Sequence, residues 1–374
     1  MSGRDGRTRL GFVGDVSLGF LKHSPPHVDG IPGWSDFERA MGQVDLLVGN
    51  FECCLVDARC PADVGDLTMA TPVHGASLLA RAGFSVMNLA NNHMLDCGPG
   101  ALRVTRERLN AAGIDTFGAG ENIAAAERVL IREAGGLRIA FLGVCDSERY
   151  YATSVRAGIA PLNEARLLAG IDACRAKADL VVVTIHADLE FTPGPAPWRR
   201  DLSRRLVARG ADLVIQHHPH VLQGLEYYGD GLIAYSLGNF IFAIHGNRYQ
   251  APHAGVTDTA VLVVDVERFD GELSISHRIV PATIQPSGFP KLRTDDNAAA
   301  VAGFSALSRN LQCSARLRHE WYRRCQVEAR NRFWTAYYDL RRLRLRAVAA
   351  QLWRILSRRR ERRWVLGLLS AGRL

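Results

Sequence analysis

Five short apolar runs in this chain each close on a side chain able to hold a metal ion, and that recurrence constrains the fold more than any other feature. LGFVGD closes at Asp15, VDLLVGNFE at Asn50 and Glu52, and FSVMNLANNH at Asn91, Asn92 and His93. ADLVVVTIH closes at His186, and ADLVIQHHPH at His218 and His220. Each run has the length and composition of a buried strand. Ligands of open α/β sheets collect just beyond the carboxyl ends of the strands. Repeated endings of this kind predict a single convergent site.

Stretches with helical signals lie between the runs. WSDFERAMGQ offers Ser35 as an N-cap with Glu38 three residues on. PGALRVTRERLNAAG carries Pro99 near its start and stops at Gly113. NEARLLAGIDACRAKA and PWRRDLSRRLVARG each feed an ADLV strand. Such alternation predicts an α/β chain whose mixed or parallel sheet is covered by helices. From about residue 128 the runs RVLIRE, LRIAFLGV, GLIAYSLGNFIF, TAVLVVDVE and GELSISHRIV are short and β-rich. They predict either a second, more antiparallel sheet or an antiparallel extension of the first. The segment 187–198, with TPGPAP, reads as a connection. After PSGFPK the pattern turns helical, so we divide the chain into a domain over 8–289 and a helical, Arg-rich extension over 290–374.

With 374 residues and 47% hydrophobic content the chain can bury a large core. Its opening MSGRDGRTRL has no apolar h-region, and no apolar stretch reaches the roughly 20 residues of a membrane helix. These features predict a cytoplasmic protein, any membrane contact being peripheral. None of the eight cysteines forms a C-x-x-C pair, which argues against a thiolate zinc site. They read as small reduced core fillers, with adjacent Cys53 and Cys54 beside Glu52 as the one hint of redox chemistry.

The net charge of +8 conceals a split: residues 301–374 hold 18 Arg, no Lys and four acids, a net +14, which leaves −6 for the first 300 residues. The foremost reading of this tail is an Arg-rich helix packed on its own domain or a second subunit. The scarcity of lysine (Lys22, Lys177 and Lys291 alone) supports a coding preference for Arg. Second is an amphipathic membrane-surface or partner-binding helix, for which WRILSRRRERRWVLGLL sets Trp and Leu beside Arg. Nucleic-acid binding ranks last.

Hydrolytic divalent-metal sites use Asp, Glu, Asn and His, with a carboxylate able to bridge two ions. Asp15, Glu52, Asn92, His186, His218 and His220 supply such a set. In His218-Pro219-His220 the two imidazoles share one side of an extended segment, a weak motif alone that gains weight from following a buried strand. His93, flanked by two Asn, sits where an Asn can ligate and the imidazole can reach a reacting group. His217 reads as packing or support. His23, His27, His74, His245, His253, His277 and His319 read as structural or solvent-facing.

In this order and at these spacings, GDVSLG, GNFE, LANNHMLDCG, HADLEF, HHPHVLQG and YSLGNFIF resemble the CapA family. That family is associated with poly-γ-glutamate capsule synthesis and belongs to the calcineurin-like metallophosphatase superfamily. The resemblance spans about residues 8–285 and leaves the tail uncovered. It implies a four-layer sandwich of two mixed β-sheets flanked by helices. It also implies roles: Asp15 as the first metal-binding Asp, Glu52 as the bridging carboxylate, and Asn92, His186 and His218 on the second ion. His220 would complete the first site, His93 would act as general acid, and Asp96 would orient His93. Asn50, Asn91, Glu190 and Asn239 would touch substrate or support the ligands.

One or two divalent ions are implied, with Mn, Fe and Zn not distinguishable. The implied reaction is phosphoester hydrolysis by a metal-activated water, on a phosphorylated or poly-γ-glutamate-type substrate, in contact with the capsule synthesis machinery. Two alternatives are an amide hydrolase acting on the polymer and a non-catalytic accessory subunit of a poly-γ-glutamate synthetase complex. Two departures matter. Ser17 stands where the superfamily usually has His, which predicts a first ion that is weak, water-rich or absent. His186-Ala187-Asp188 replaces the usual His-Trp-Gly.

Overall fold

The computed structural model describes residues 7–19, 33–57, 69–293, 297–341, 345–358 and 362. His23, His27, Cys60 and the end of the tail lie outside them. Elements are numbered along the chain. Among the described residues the larger sheet has eight strands: β1 (Arg7–Val16), β2 (Leu46–Phe51), β5 (Phe84–Asn88), β6 (Asp115–Phe117), β15 (Asn239–Ile241), β16 (Asp258–Phe269), β17 (Glu272–Ile284) and β18 (Pro290–Leu292). The second has six: β8 (Leu130–Ala134), β9 (Leu137–Cys145), β11 (Leu180–His186), β12 (Leu213–His217), β13 (Leu225–Tyr228) and β14 (Gly231–Ala234). Two short pairs, β3 (Cys54–Val56) with β4 (Ala70–Pro72) and β7 (Ala119–Gly120) with β10 (Gly158–Ile159), lie beside them.

Both sheets are mixed. In the larger, β1, β2, β5 and β6 run parallel, while β16, β17 and β18 extend it antiparallel. In the second, β9, β11, β12 and β14 run parallel between the antiparallel edges β8 and β13. The antiparallel texture anticipated after residue 128 is therefore shared between the two sheets.

Strand alternation builds the layers, because successive side chains point to opposite faces. Leu180 and Val182 of β11 meet Leu10 and Phe12 of β1, Val48 of β2 and Val264 of β16 in the core between the sheets. The intervening Val181, Val183 and Ile185 turn outward to Leu167 and Ile171 of α5 (Glu164–Arg175) and to Leu202 and Leu206 of α6 (Pro197–Ala208). On the far side Leu47, Met87 and Val263 lie under Trp34 and Phe37 of α1 (Trp34–Met41), Leu79 of α2 (Gly75–Arg81) and Leu109 of α3 (Gly98–Ala111). The short α4 (Ile123–Ala126) follows β7. The result is the expected α/β/β/α sandwich of two mixed sheets flanked by helices. Each fully buried Leu or Phe in these layers contributes about 1.5–3 kcal/mol.

Helix starts follow local chemistry. α3 opens with Pro99 in its first turn, and Gly113 follows its end at φ 82, as the sequence suggested. α1 differs: it begins at Trp34, after Gly33 at φ 80, and Ser35 lies inside it. Trp34 is held there by burial and by its indole N–H, which donates to Glu38 Oε1 at 2.6 Å.

Beyond residue 290 the chain stays on the sandwich. β18 completes the sheet edge by pairing with β17. α7 (Asn297–Asn310) packs on β13 and β17, close enough that a Cβ on Gly224 would stand 2.5 Å from Ser308 Cα. α8 (Ser314–Arg341) docks through Trp321 and Cys325 on Leu189 and Ala196, and α9 (Leu345–Ser357) packs on α8. Among the described residues no helix is long and apolar enough to cross a membrane.

Candidate metal centre

Register brings the strand ends together. Asp15 of β1 pairs with Asn50 of β2, and Asn50 with Asn88 of β5. In the second sheet His186 of β11 lies between Cys145 of β9 and His217 of β12. Asn50 is two residues from Val48 and Asn88 two from Val86, so both share the face that meets the other sheet. The carboxyl ends of both sheets thus open onto one place. Gly14 lets β1 arrive there: a Cβ at this residue would sit 1.9 Å from Gly238 O, which accepts the Asp15 N–H at 2.9 Å.

A row of carboxamides holds the Asp15 carboxylate. Asn88 Nδ2 donates to Asn50 Oδ1 at 2.9 Å, and Asn50 Nδ2 donates to Asp15 Oδ1 at 2.8 Å. Asn91 Nδ2 donates to Phe51 O at 2.8 Å and its Oδ1 accepts the His93 N–H at 3.1 Å, so Asn91 shapes the turn. From the second sheet, His217 Nδ1 lies 3.5 Å from Asp15 Oδ1 and His220 Nδ1 3.3 Å from Asp15 Oδ2. The His218 N–H donates to Asp15 Oδ2 at 3.2 Å. Asn88 escaped the sequence reading, although it closes the same FSVMN strand; His217, read as packing or support, shares the face of Ile215 and meets Asp15.

Glu52 is the centre of the cluster. His186 Nε2 lies 3.5 Å from Glu52 Oε1, His93 Nε2 3.9 Å and His220 Nε2 4.0 Å. His186 Nε2 also lies 2.6 Å from Asn92 Oδ1, and its ring stands 4.6 Å from that of His218. Three groups, Glu52/His186/His218, Asp15/Glu52/His220 and Glu190/His218/His220, each offer ligand atoms within 4.8 Å of one another. Both carboxylate oxygens of Glu52 are fully buried with no hydrogen-bond partner. A buried unpartnered carboxylate is costly. Set among imidazoles and a carboxamide oxygen, it fits a divalent cation.

The electrostatics follow from that crowding. Burial disfavours the Glu52 anion, the Asp15 charge adds to it, and the carboxyl is pushed up to about 8. Burial also disfavours the Asp15 anion, but hydrogen bonds with His217 and His220 outweigh this and hold it well below the usual range. His186 is driven well below its usual value by burial. Burial alone would do the same to His220, yet Glu52 and Asp15 raise it to about 10. His93 rises despite burial, because Asp96 Oδ2 binds its Nδ1 at 2.7 Å and Glu52 lies beyond.

Backbone geometry at the second-sheet ligands differs from the extended segment anticipated. His218 has φ 96 and His220 φ 58, so their rings converge through left-handed backbone. Such residues are uncommon and collect where the surroundings over-determine them. Asn239 does so here: its Oδ1 lies 2.8 Å from His220 Nδ1 while its Nδ2 donates to His220 O. Asp188 holds φ 94, a conformation suited to the Gly it replaces.

Outside the cluster lies a cleft of about 860 Å³ lined by Asn92, His93, Glu190, His220, Arg248 and Tyr249 among others. Tyr249 donates its hydroxyl proton to Glu190. His245, read from sequence as structural, also lines this cleft. Ser17 lines it too, but its hydroxyl donates to Met69 Sδ at 3.2 Å.

An α/β/β/α sandwich with acid, imidazole and carboxamide groups converging between the carboxyl ends of its sheets defines the architectural class. The chain belongs to the family described as bacterial capsule synthesis protein PGA_cap, whose model matches residues 9–244. Capsule biosynthesis protein CapA of Bacillus anthracis is 40% identical over 167 residues, covering 43% of this chain and 41% of that one. PGA biosynthesis protein CapA of Bacillus subtilis is 29% identical, covering 62% of each. The chain therefore spans less than two thirds of the length of both relatives. Among solved structures, the calcineurin-like phosphoesterase YfkN from Bacillus subtilis superposes with a TM-score of 0.46 at 13% identity, over 83% of this chain and 100% of that one.

Proposed function

We propose that this chain is a metal-dependent hydrolase of phosphoester bonds with a role in capsule or poly-γ-glutamate metabolism. The observation that carries the reading is Glu52, whose two buried oxygens have no hydrogen-bond partner amid the imidazoles of His186, His218 and His220. Glu52 would lie between two cation positions. Asn92, His186 and His218 would complete one, and Asp15 and His220 the other. Bound divalent ions supply Lewis-acid polarisation of phosphoryl oxygen and a more acidic water.

The chain's own groups do the rest. His93 binds Asp96 through Nδ1, which favours the protonated ring and leaves Nε2 on the Glu52 side, beside the cleft. From there it would donate a proton to the leaving oxygen. Asp96 Oδ2 also accepts the Met69 N–H at 2.9 Å, so it is fixed in turn and orients the ring. Asn50, Asn88 and Asn239 hold the ligands, whereas Glu190 and Tyr249 face incoming substrate. The test is metal analysis of the purified protein with a panel of phosphomonoesters and phosphodiesters, His93→Ala serving as control. Turnover that survives in His93→Ala rejects the assigned acid.

One observation favours a non-catalytic accessory role. Ser17 occupies the position of a usual superfamily ligand, and its hydroxyl is committed to Met69. In that case metal binds and no ester or amide is cleaved.

The reading extends to the tail as a peripheral anchor. Phe333, Leu340, Leu345, Leu352 and Trp353 of α8 and α9 are exposed, Trp353 by 71% of its surface, on helices rich in Arg. Apolar and cationic groups side by side suit an anionic membrane surface. Flotation with anionic vesicles, full-length protein against Leu352→Ala/Trp353→Ala, tests it: an unchanged bound fraction rejects the anchor.

A further inference from the structure

One acid reaches the metal centre from a connection rather than from a strand end. Glu190 lies in the segment joining β11 to α6, and among the described residues lining the cleft it is the one acid. Its carboxylate and the imidazoles of His218 and His220 each offer a ligand atom within 4.8 Å of the others. Tyr249 donates to Glu190 Oε2, which fixes the carboxylate and leaves lone pairs for a cation. Ser17, on the same cleft, has its hydroxyl committed to Met69 Sδ and is a poor donor to a metal. Asp188 at φ 94 and Phe191 at φ 58 flank Glu190 in left-handed backbone, which persists only where the surroundings impose it. The C-terminal extension supplies much of that constraint. The Trp321 indole N–H donates to Asp188 Oδ1 at 3.2 Å, and Leu189 packs against Trp321 and Cys325. The Phe191 N–H donates to Pro219 O at 2.8 Å, between the two histidines. Its ring stacks on His253 at 3.8 Å, with the Arg324 guanidinium 5.8 Å from its centroid. Trp321 and Arg324 lie beyond the residues 9–244 matched by the family model.

We propose that Glu190 is a further metal ligand, joining His218 and His220 and supplying the donor that the Ser17 position lacks, and that Trp321 positions it. The proposal rests on the metal-binding part of the function proposed above and needs no hydrolysis. A carboxylate adds an anionic oxygen to two imidazoles, a set that suits Mn, Fe or Zn. The other ligands are delivered by strand register or by the backbone that directly follows β12. Glu190 depends instead on a turn whose conformation α8 holds from outside the sandwich. Loss of the indole N–H removes one donor from Asp188 Oδ1 and loosens that turn at its start, two residues before the ligand. The Arg-rich extension is thereby a supporting wall of the metal centre as well as a packed tail.

Full-length protein, stripped with chelator and dialysed, is titrated calorimetrically with Mn and with Zn. Glu190→Gln keeps the size of the side chain and removes its charge, and at least one binding step is expected to weaken about tenfold or more. Asp172→Asn, the same change at a surface acid paired with Arg209, controls for net charge and should bind as wild type does. Glu190→Asp, which draws the carboxylate back by one methylene, should fall between wild type and Glu190→Gln. Trp321→Phe should weaken the same step about threefold or more when titrated well below its melting temperature, where a purely structural role would leave Kd unchanged. The proposal is overturned if every step in Glu190→Gln lies within about twofold of wild type while Glu52→Gln abolishes binding, an outcome that leaves the metal reading standing. Unchanged affinity in Trp321→Phe overturns the positioning role. A wild type that binds neither ion removes the metal reading and the proposal together.

Discussion

The same substitution at two glycines should move stability in opposite directions. At Gly14 a methyl group would stand 1.9 Å from Gly238 O, 2.8 Å from Gly238 C and 3.1 Å from Leu237 C, all backbone atoms that cannot swing aside. Gly14→Ala must therefore separate β1 from the chain entering β15 and stretch or break the Asp15 N–H to Gly238 O hydrogen bond. Overpacking of this kind costs about 1–3 kcal/mol, and the hydrogen bond adds about 1 kcal/mol, so a loss of about 2–4 kcal/mol is expected. At Gly303, exposed on α7, nothing lies within 4 Å and φ is not positive. Gly303→Ala should stabilise by up to about 1 kcal/mol through helix propensity and a less mobile unfolded chain. Urea melts of both variants at matched m-values measure the difference. A Gly14→Ala midpoint within error of wild type would refute the claim that close backbone approach sets the position of Asp15.

Other consequences are equally direct. Glu52→Gln, which removes the carboxylate shared by two of the three candidate ligand groups, should abolish the metal-dependent shift in melting temperature. Wild type at a hundredfold excess of ion over Kd should gain about 2.7 kcal/mol, reversed by chelator, and a wild-type melt indifferent to Mn, Fe and Zn would contradict the metal assignment. Trp321→Ala, which empties the pocket over Leu189 and Ala196 and leaves Asp188 Oδ1 without an indole donor at 3.2 Å, should cost about 3–5 kcal/mol and expose α8 to limited proteolysis. Trp321→Phe, which keeps the ring and loses the N–H, should cost about 1–2 kcal/mol in the same melts. Asn239→Ala should weaken metal binding about 10–100-fold by freeing His220, read by calorimetric titration with Mn or Zn.

Much of the site was legible because strands buried on both faces read as continuous apolar runs, and their ends stand out as abrupt polar residues. Asp15, Glu52, His186 and His220 were visible in this way. Register was not: nothing in FSVMN announces that Asn88 lies opposite Asn50. Nor does sequence disclose that His218 and His220 turn through left-handed backbone, since only the surrounding hydrogen bonds from Asn239 and Asp15 make that conformation affordable. The tail was opaque for another reason. Arg is interleaved with Trp and Leu all along α8, so the periodicity does not reveal that Trp321 and Cys325 face inward. Contacts such as that of the Cys54 thiol with His93 O and Met94 O depend on how β3 meets the turn ahead of α3, which local patterns do not encode.

Asp15 and Glu52 come from one sheet, whereas His186, His218 and His220 come from the other. A cation gripped by both would act as a rivet across the seam of the sandwich. Loading the ion and clasping the two halves would then be one equilibrium, and starving the protein of metal would loosen the seam first at its open end.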